Sequence, residues 1–177
     1  MKFQKSEEIN ILIRDCINNN RTAQKMLYEK YKDAMFSICY RILGNYNDAS
    51  DALQDGFINV FNNIEKFKGK STLGAWIKTI IVRAALLRIP KNNFEDLSMI
   101  EQETKYEIDD SLTGEVIEKA ILELNSGYRT VFNLIEIEGY KHYEVAEMLG
   151  ISIGTSKSQL FKAKKVLRAK LQILNSN

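Results

Sequence analysis

Apolar side chains recur at steps of three and four along almost the whole chain, a spacing that calls for helices throughout. Met26, Leu27, Tyr31, Ala34, Met35, Ile38 and Ile42 follow it, and so do Leu73, Trp76, Ile77, Ile80, Ile81 and Ala84. Strand-like alternation never persists beyond a few residues, and a single proline, Pro90, interrupts the 177 residues. The spacing predicts helices near 6–19, 22–43, 48–65 and 72–89, then near 113–124, 127–138, 142–149 and 153–173. The expected fold is all-α.

Pro90 disfavours helix at the residue before it and removes a backbone donor. The segment that follows, NNFEDLSMIEQETKYEIDD, has too little apolar content for a core and much self-repelling charge. We therefore expect two small helical domains joined by a flexible acidic linker: residues 1–91, a linker at 92–112, and residues 113–177. The net charge of +2 conceals a segregation. Residues 1–94 carry a net +6, residues 95–118 a net −8 and residues 141–177 a net +5. Two basic lobes around an acidic strap suit two contacts with a polyanion; the alternative is an ordinary solvated surface.

Several classes are excluded early. No apolar run is long enough to span a bilayer. The opening MKFQKSEEINILIRD carries acids within its short apolar pattern, unlike a secretory leader, so a cytoplasmic location is expected. Cys16 and Cys39 lie on helical apolar stripes without CxxC spacing and read as buried thiols. With His142 as the one histidine and no nucleophile–base pair, no metal, cofactor, small-molecule substrate or catalysis is expected.

The stretch EVAEMLGISIGTSKSQLFKAKK reads as a helix-turn-helix. Val145, Ala146 and Leu149 form an inner face, Gly150 can take the left-handed conformation that ends a helix, and Ile151 plugs the core. Ser152 is a natural cap for the next helix. Ser156, Leu160, Ala163 and Leu167 then share one side, while Lys157, Ser158, Phe161 and Lys162 share the other. Lysines can neutralise phosphates, and Ser158 and Phe161 can reach base edges and thymine methyls. The bland alternative is a helical hairpin with a solvated basic face. His142 precedes the helix-turn-helix and reads as a surface residue or as a residue near the helix start.

Residues 66–91 hold seven cations and no acid, with Phe67 and Trp76 interleaved. Single-stranded nucleic acid asks for that combination, phosphate neutralisation plus a stacking surface. Trp76 fits a core position equally well. Just upstream, NDASDALQDGFINVFNNIEKF puts Phe57, Val60, Phe61 and Ile64 on a buried side and exposes Asp51, Gln54 and Asp55, with Asn59 and Asn62 further along. Asp48 can cap this helix. An exposed acid-and-amide patch within a basic lobe suits a protein partner better than DNA.

These segments resemble the extracytoplasmic-function group of bacterial RNA polymerase sigma factors. DASDALQDGFINVF is similar to that family's D-A-E-D-x-x-Q-x-x-F segment and FKGKSTLGAWIKTI to its F-x-G-x-S-x-x-x-W-[IL] segment. LNSGYRTVFNLIEIEGYKHYEVAEMLGISIGTSKSQLFKAKKVL resembles its promoter-reading C-terminal domain. The resemblance implies that Asp48, Asp51, Gln54 and Asp55 bind core polymerase at the largest-subunit clamp, with the second-largest-subunit flap as a further contact. It implies that Phe67, Lys68, Gly69, Lys70, Ser71, Thr72, Lys78, Thr79 and Arg83 capture the −10 strand. It assigns the −35 duplex to Ser152, Thr155, Lys157, Ser158, Phe161 and Lys162. An anti-sigma factor is an implied partner.

The chain departs from the family pattern in places. Ser50 stands for a usual Glu, Ala52 for a larger apolar residue, Arg83 for a common Asn and Asn125 for a common Pro. TSKSQ replaces the widespread TVKSR, so no consensus promoter sequence is carried over. The competing reading is a stand-alone dimeric helix-turn-helix regulator, which leaves residues 66–91 and the acidic patch without a role.

Overall fold

A computed structural model describes residues 2–90, 94 and 114–175; the side chains of 2–6 and 172–175 are outside that set. The described residues are helical with no strand, and they divide into two compact units after Arg88, the short stretch Arg41–Gly44 counting with the second. The expected linker falls outside the described residues apart from Phe94.

The first unit holds α1 (Lys2–Ile17), α2 (Arg21–Leu43), α3 (Tyr46–Asn63) and α4 (Leu73–Leu86), with a 3-10 turn at Ile64–Lys66. Asn20 starts α2 by accepting from the amides of Thr22 and Ala23. Asn45 starts α3 in the same way, accepting from Asn47 N at 2.8 Å and Asp48 N at 3.1 Å. Asp48 is therefore not the cap. It lies in the first turn, where its charge favours the helix N-terminus. α4 stops at Leu86 rather than near 89, because the residue before Pro90 is pushed away from helical ψ.

The core of this unit is the seam between α3 and α4. Ala52, Phe57 and Val60 of α3, Ile64 of the turn after it, and Ile77, Ile81, Val82 and Ala85 of α4 are all buried. Burying side chains of this size contributes about 1.5–3 kcal/mol each for the larger ones. Gly56 permits the approach: a Cβ there would stand 2.5 Å from Ile81 Cδ1 and 3.3 Å from Ile81 Cα. On α2 the buried stripe runs through Ala23, Leu27, Met35, Ile38, Cys39 and Ile42. Met26 and Ala34, members of the three-and-four spacing, face solvent, since each is about 100° round the helix from its buried neighbour. Cys16 and Cys39 are buried free thiols, and burial pushes Cys39 up to about 12, which keeps it protonated and unreactive.

The second unit contains α5 (Gly114–Leu122), α6 (Ser126–Phe132), α7 (His142–Leu149) and α8 (Ile153–Asn175). Ala120, Ile121 and Leu124 pack on Ala163, Leu167 and Leu171. Arg129 is buried, and its guanidinium donates to the carbonyls of Leu122 at 2.9 Å and Leu124 at 3.0 Å, occupying acceptors that the end of α5 leaves free. Residues 127–138 do not make the single helix that the spacing predicts. After Phe132 the chain widens into a π-turn at Asn133–Ile137. Asn133 explains it: its side-chain amide donates to the carbonyl of Arg129 at 2.8 Å, competing with the backbone ladder.

Gly56→Leu is expected to wedge α3 from α4 and cost at least ~2 kcal/mol. A thermal melt followed by circular dichroism checks this, and an unchanged midpoint would contradict the tight crossing.

Candidate functional site

In the second unit the turn between α7 and α8 forms as its residues dictate. Glu144 Oε2 accepts from the backbone of Lys141 at 2.7 Å and steadies the start of α7. Gly150 ends it at φ 67°, ψ 35°, with the amide of Ile151 bonded back to the carbonyl of Ala146 at 3.0 Å. Ser152 Oγ then accepts from Thr155 N at 2.9 Å and shares a second hydrogen bond with the Thr155 hydroxyl at 2.9 Å. The expected inner face of α8, Ser156, Leu160, Ala163 and Leu167, is buried, as are Val145, Ala146 and Leu149 opposite.

The six side chains assigned to duplex DNA separate by environment. Lys157 is exposed, whereas Ser158, Phe161 and Lys162 are half-buried. Ser152 and Thr155 spend their hydroxyls on the cap, and Ser158 donates to the carbonyl of Thr155 at 3.0 Å. Two polar contacts, one of a half-buried and one of a buried side chain, were not anticipated. His142 Nδ1 lies 2.9 Å from Ser156 Oγ, tying the first residue of α7 to α8, so it is not a plain surface residue. Gln159, 1% exposed, donates to the carbonyl of Phe94 at 3.1 Å. Nothing in local spacing signals either pairing, since each joins separate elements.

In the first unit the loop 67–72 presents Lys68, Gly69, Lys70, Ser71 and Thr72 to solvent, with Gly69 at φ +68°. Thr72 caps α4 by accepting from Ala75 N at 3.2 Å. Trp76 is half-buried, and its ring tilts against Phe67 with centroids 5.6 Å apart. Thr79 and Arg83 follow Trp76 along one face of α4 at steps of three and four. Lys78 sits about 200° round the helix from Trp76, so the fold does not bring it to that face.

On α3 the side chains of Asp48, Asp51, Gln54 and Asp55 are all exposed, and Asn59 and Asn62 continue the polar face. Arg88, which belongs by sequence to the basic stretch, turns to this acidic face instead. Its Nη2 bonds Asp55 Oδ2 at 2.6 Å and its Nη1 reaches Asp51 Oδ2 at 3.4 Å. The hydrogen bond to Asp55 raises the guanidinium above its ordinary value, with the charges of Asp55, Asp51 and Asp48 adding to it. Among the described residues no group of His, Cys, Asp and Glu is arranged to hold a metal ion. No helix among them is long and apolar enough to cross a membrane.

Comparison with known proteins gives two family matches in chain order. Residues 27–94 match Sigma-70 region 2 and residues 114–167 match Sigma-70, region 4. The ECF RNA polymerase sigma factor SigW of Bacillus subtilis is 30% identical over 161 residues, covering 81% of this chain and 86% of that protein. The ECF RNA polymerase sigma-E factor of Haemophilus influenzae is 24% identical over 183 residues, covering 92% and 95%. Among solved structures, the sigma factor RpoE in complex with the anti-sigma factor NepR from Bartonella quintana shares the fold with a TM-score of 0.54. It is 21% identical, covering 84% of this chain and 96% of that one. CnrH in complex with the cytosolic domain of CnrY gives a TM-score of 0.51 at 19% identity, covering 94% and 97%.

The helix-turn-helix carries a pH-dependence of its own. Burial lowers the pKa of His142 from 6.5, Lys157 and Lys164 push the same way, and Glu136 opposes them. The unfolded chain then takes up this proton first as pH falls, so stability contributed by neutral His142 is lost from about pH 6.5 downward. An NMR titration should put the His142 midpoint below 6.5, and His142→Asn should flatten that part of the stability–pH curve. A midpoint above the ordinary value would contradict the arrangement.

Proposed function

This chain belongs to the extracytoplasmic-function sigma factors of bacterial RNA polymerase, and on that premise we propose which of its surfaces does what. It is a sigma factor that directs promoter-specific transcription initiation, with core RNA polymerase and promoter DNA as its partners. The α3 face of Asp48, Asp51, Gln54 and Asp55 docks on the clamp of the largest polymerase subunit, and the second unit contacts the flap of the second-largest. The loop 67–72, with Thr79 and Arg83, takes the −10 strand as the duplex opens. Lys78 contributes charge from another side of α4. The α7–α8 unit reads the −35 duplex. An anti-sigma factor of protein nature holds the chain inactive, and the whole cycle runs in the cytoplasm.

One observation carries this division of labour. An exposed acid-and-amide face and an exposed basic loop with a paired Phe67 and Trp76 stand on the same small unit. The first suits a cationic protein surface and the second a single strand. Opening the −10 duplex costs a few kcal/mol per unstacked step, offset by stacking and pockets for the displaced bases. On α8, Lys157 supplies phosphate contact, while Phe161 and Lys162 stand beside it at the groove face. Ser152, Thr155 and Ser158 hold the start of the helix in shape, and their remaining lone pairs can meet the DNA.

The test of docking is gel filtration with bacterial core polymerase and no DNA. Wild type should co-elute, and an Asp51→Arg/Gln54→Ala variant should co-elute at least about tenfold more weakly, since it reverses one charge and removes an amide at the contact. Failure of wild type to co-elute, together with dimeric binding to a palindromic duplex, would sink the assignment.

Promoter binding by the holoenzyme should weaken steeply with salt. Lys157→Ala should lower affinity on all promoters alike and reduce the salt slope by about one. A loss confined to particular −35 sequences would instead make Lys157 a base reader.

A further inference from the structure

Arg88 is the charged side chain whose placement the function above leaves unexplained. It follows the end of α4, two residues before Pro90, and crosses to α3, where it holds Asp55 at 2.6 Å and Asp51 at 3.4 Å. Asp51 and Asp55 are 61% and 57% exposed, so the pairs sit in high dielectric and contribute little to folding. The same two carboxylates belong to the face assigned to core polymerase. Beside them a cleft runs between α3 and the end of α4, lined by Asp55, Ile58, Asn59, Ala84, Leu87 and Arg88. Its rim is apolar and open, with Ile58 55% and Leu87 86% exposed. A partner that fits presents a cation to the aspartates and an apolar side chain to this rim.

We propose that Arg88 is an internal competitor on the docking face, its guanidinium occupying in the free protein the carboxylates that a basic side chain of the polymerase takes in the complex. The proposal rests on the reading of α3 as the docking helix. Displacing Arg88 costs little. The pairs are exposed, and the freed guanidinium stays near the C-terminal carbonyls of α4, where a cation is favoured. Its effect is to set affinity. While Arg88 is paired, the acidic face offers a cationic partner one net negative charge fewer, and docking must break two internal contacts to form external ones. The arrangement keeps a dissociable subunit from binding too tightly and makes docking depend on a true cationic partner.

The experiment compares wild type, Arg88→Met, Arg88→Gln and Asp51→Arg by fluorescence-detected competition for core polymerase at low and high salt. Met keeps the aliphatic stem that covers the cleft and Gln keeps polarity, and thermal melts confirm that each variant is folded. Arg88→Met and Arg88→Gln are expected to bind about three- to tenfold tighter at low salt, the size of two exposed ion pairs. The gain should shrink as salt screens the face. Combined with Asp51→Asn/Asp55→Asn the gain should largely vanish, because both carboxylates that Arg88 blocked are then neutral. Unchanged or weaker binding by both folded Arg88 variants, with wild type binding and Asp51→Arg impaired, overturns the competitor role and leaves the docking face standing. Absence of wild-type binding removes both.

Discussion

The crossing of α3 over α4 at Gly56 is the constraint from which the working surfaces of the first unit follow. With no side chain at Gly56, Ile81 seats against the backbone of α3 and the two helices share one dry seam. Everything not in that seam is then turned outward by the 3.6-residue period. On α3 this exposes Asp48, Asp51, Gln54 and Asp55, and on α4 it lines up Trp76, Thr79 and Arg83. The crossing also carries Arg88 back over α3. A wider seam would leave each helix amphipathic but would separate Arg88 from Asp55, so the electrostatics of the acidic face depend on an apolar contact.

In the second unit the comparable device is polar. Gly150 and Ser152 fix the turn, and the His142–Ser156 bond fixes one helix against the other. These groups do structural work at the very positions where a recognition helix meets DNA. A hydroxyl already donating to a backbone carbonyl, as Ser158 does, has only acceptor capacity to offer a base or a phosphate donor. On the proposed reading, contact by α8 thus shifts toward side chains that reach outward, and the exposed Lys157 meets phosphate rather than a base. The substitution of TSKSQ for the widespread TVKSR points the same way. Gln159 is turned inward to Phe94, so the position gives the DNA neither an Arg charge nor an outward donor.

How much was legible in the chain follows from the range of the interactions. Faces and local caps depend on residues within a turn or two, so the stripe Ser156–Leu167, the glycine stop and the Ser152 cap could all be read from spacing. The Asn45 cap was missed because Asp48 is an equally good acceptor by type, and only the backbone turn decides between them. The π-turn after Phe132 turns on one side-chain amide reaching its own helix four residues back. The contacts of Arg88, His142 and Gln159 escape local reading for a different reason. Their partners lie 33, 14 and 65 residues away, and no periodicity encodes which helix a long polar side chain will cross to. Met26 and Ala34 show the same limit for apolar residues, since a broad stripe does not say where its buried edge falls.

Opposite charges displayed on one small unit have a physical consequence beyond the individual contacts. A wholly basic unit would be drawn to any stretch of DNA, because phosphate neutralisation is independent of sequence. Three exposed carboxylates on α3, partly offset by Arg88, lower that general attraction without touching the loop that would hold an unpaired strand. Under the proposed docking role, the acidic face acts twice, once as a docking surface for a cationic protein and once as a restraint on promiscuous binding. When a partner's cations cover the acids, the restraint is lifted and the unit's effective charge toward DNA becomes more positive. The proposed docking and strand capture would then be coupled through the field alone, with no change of fold required.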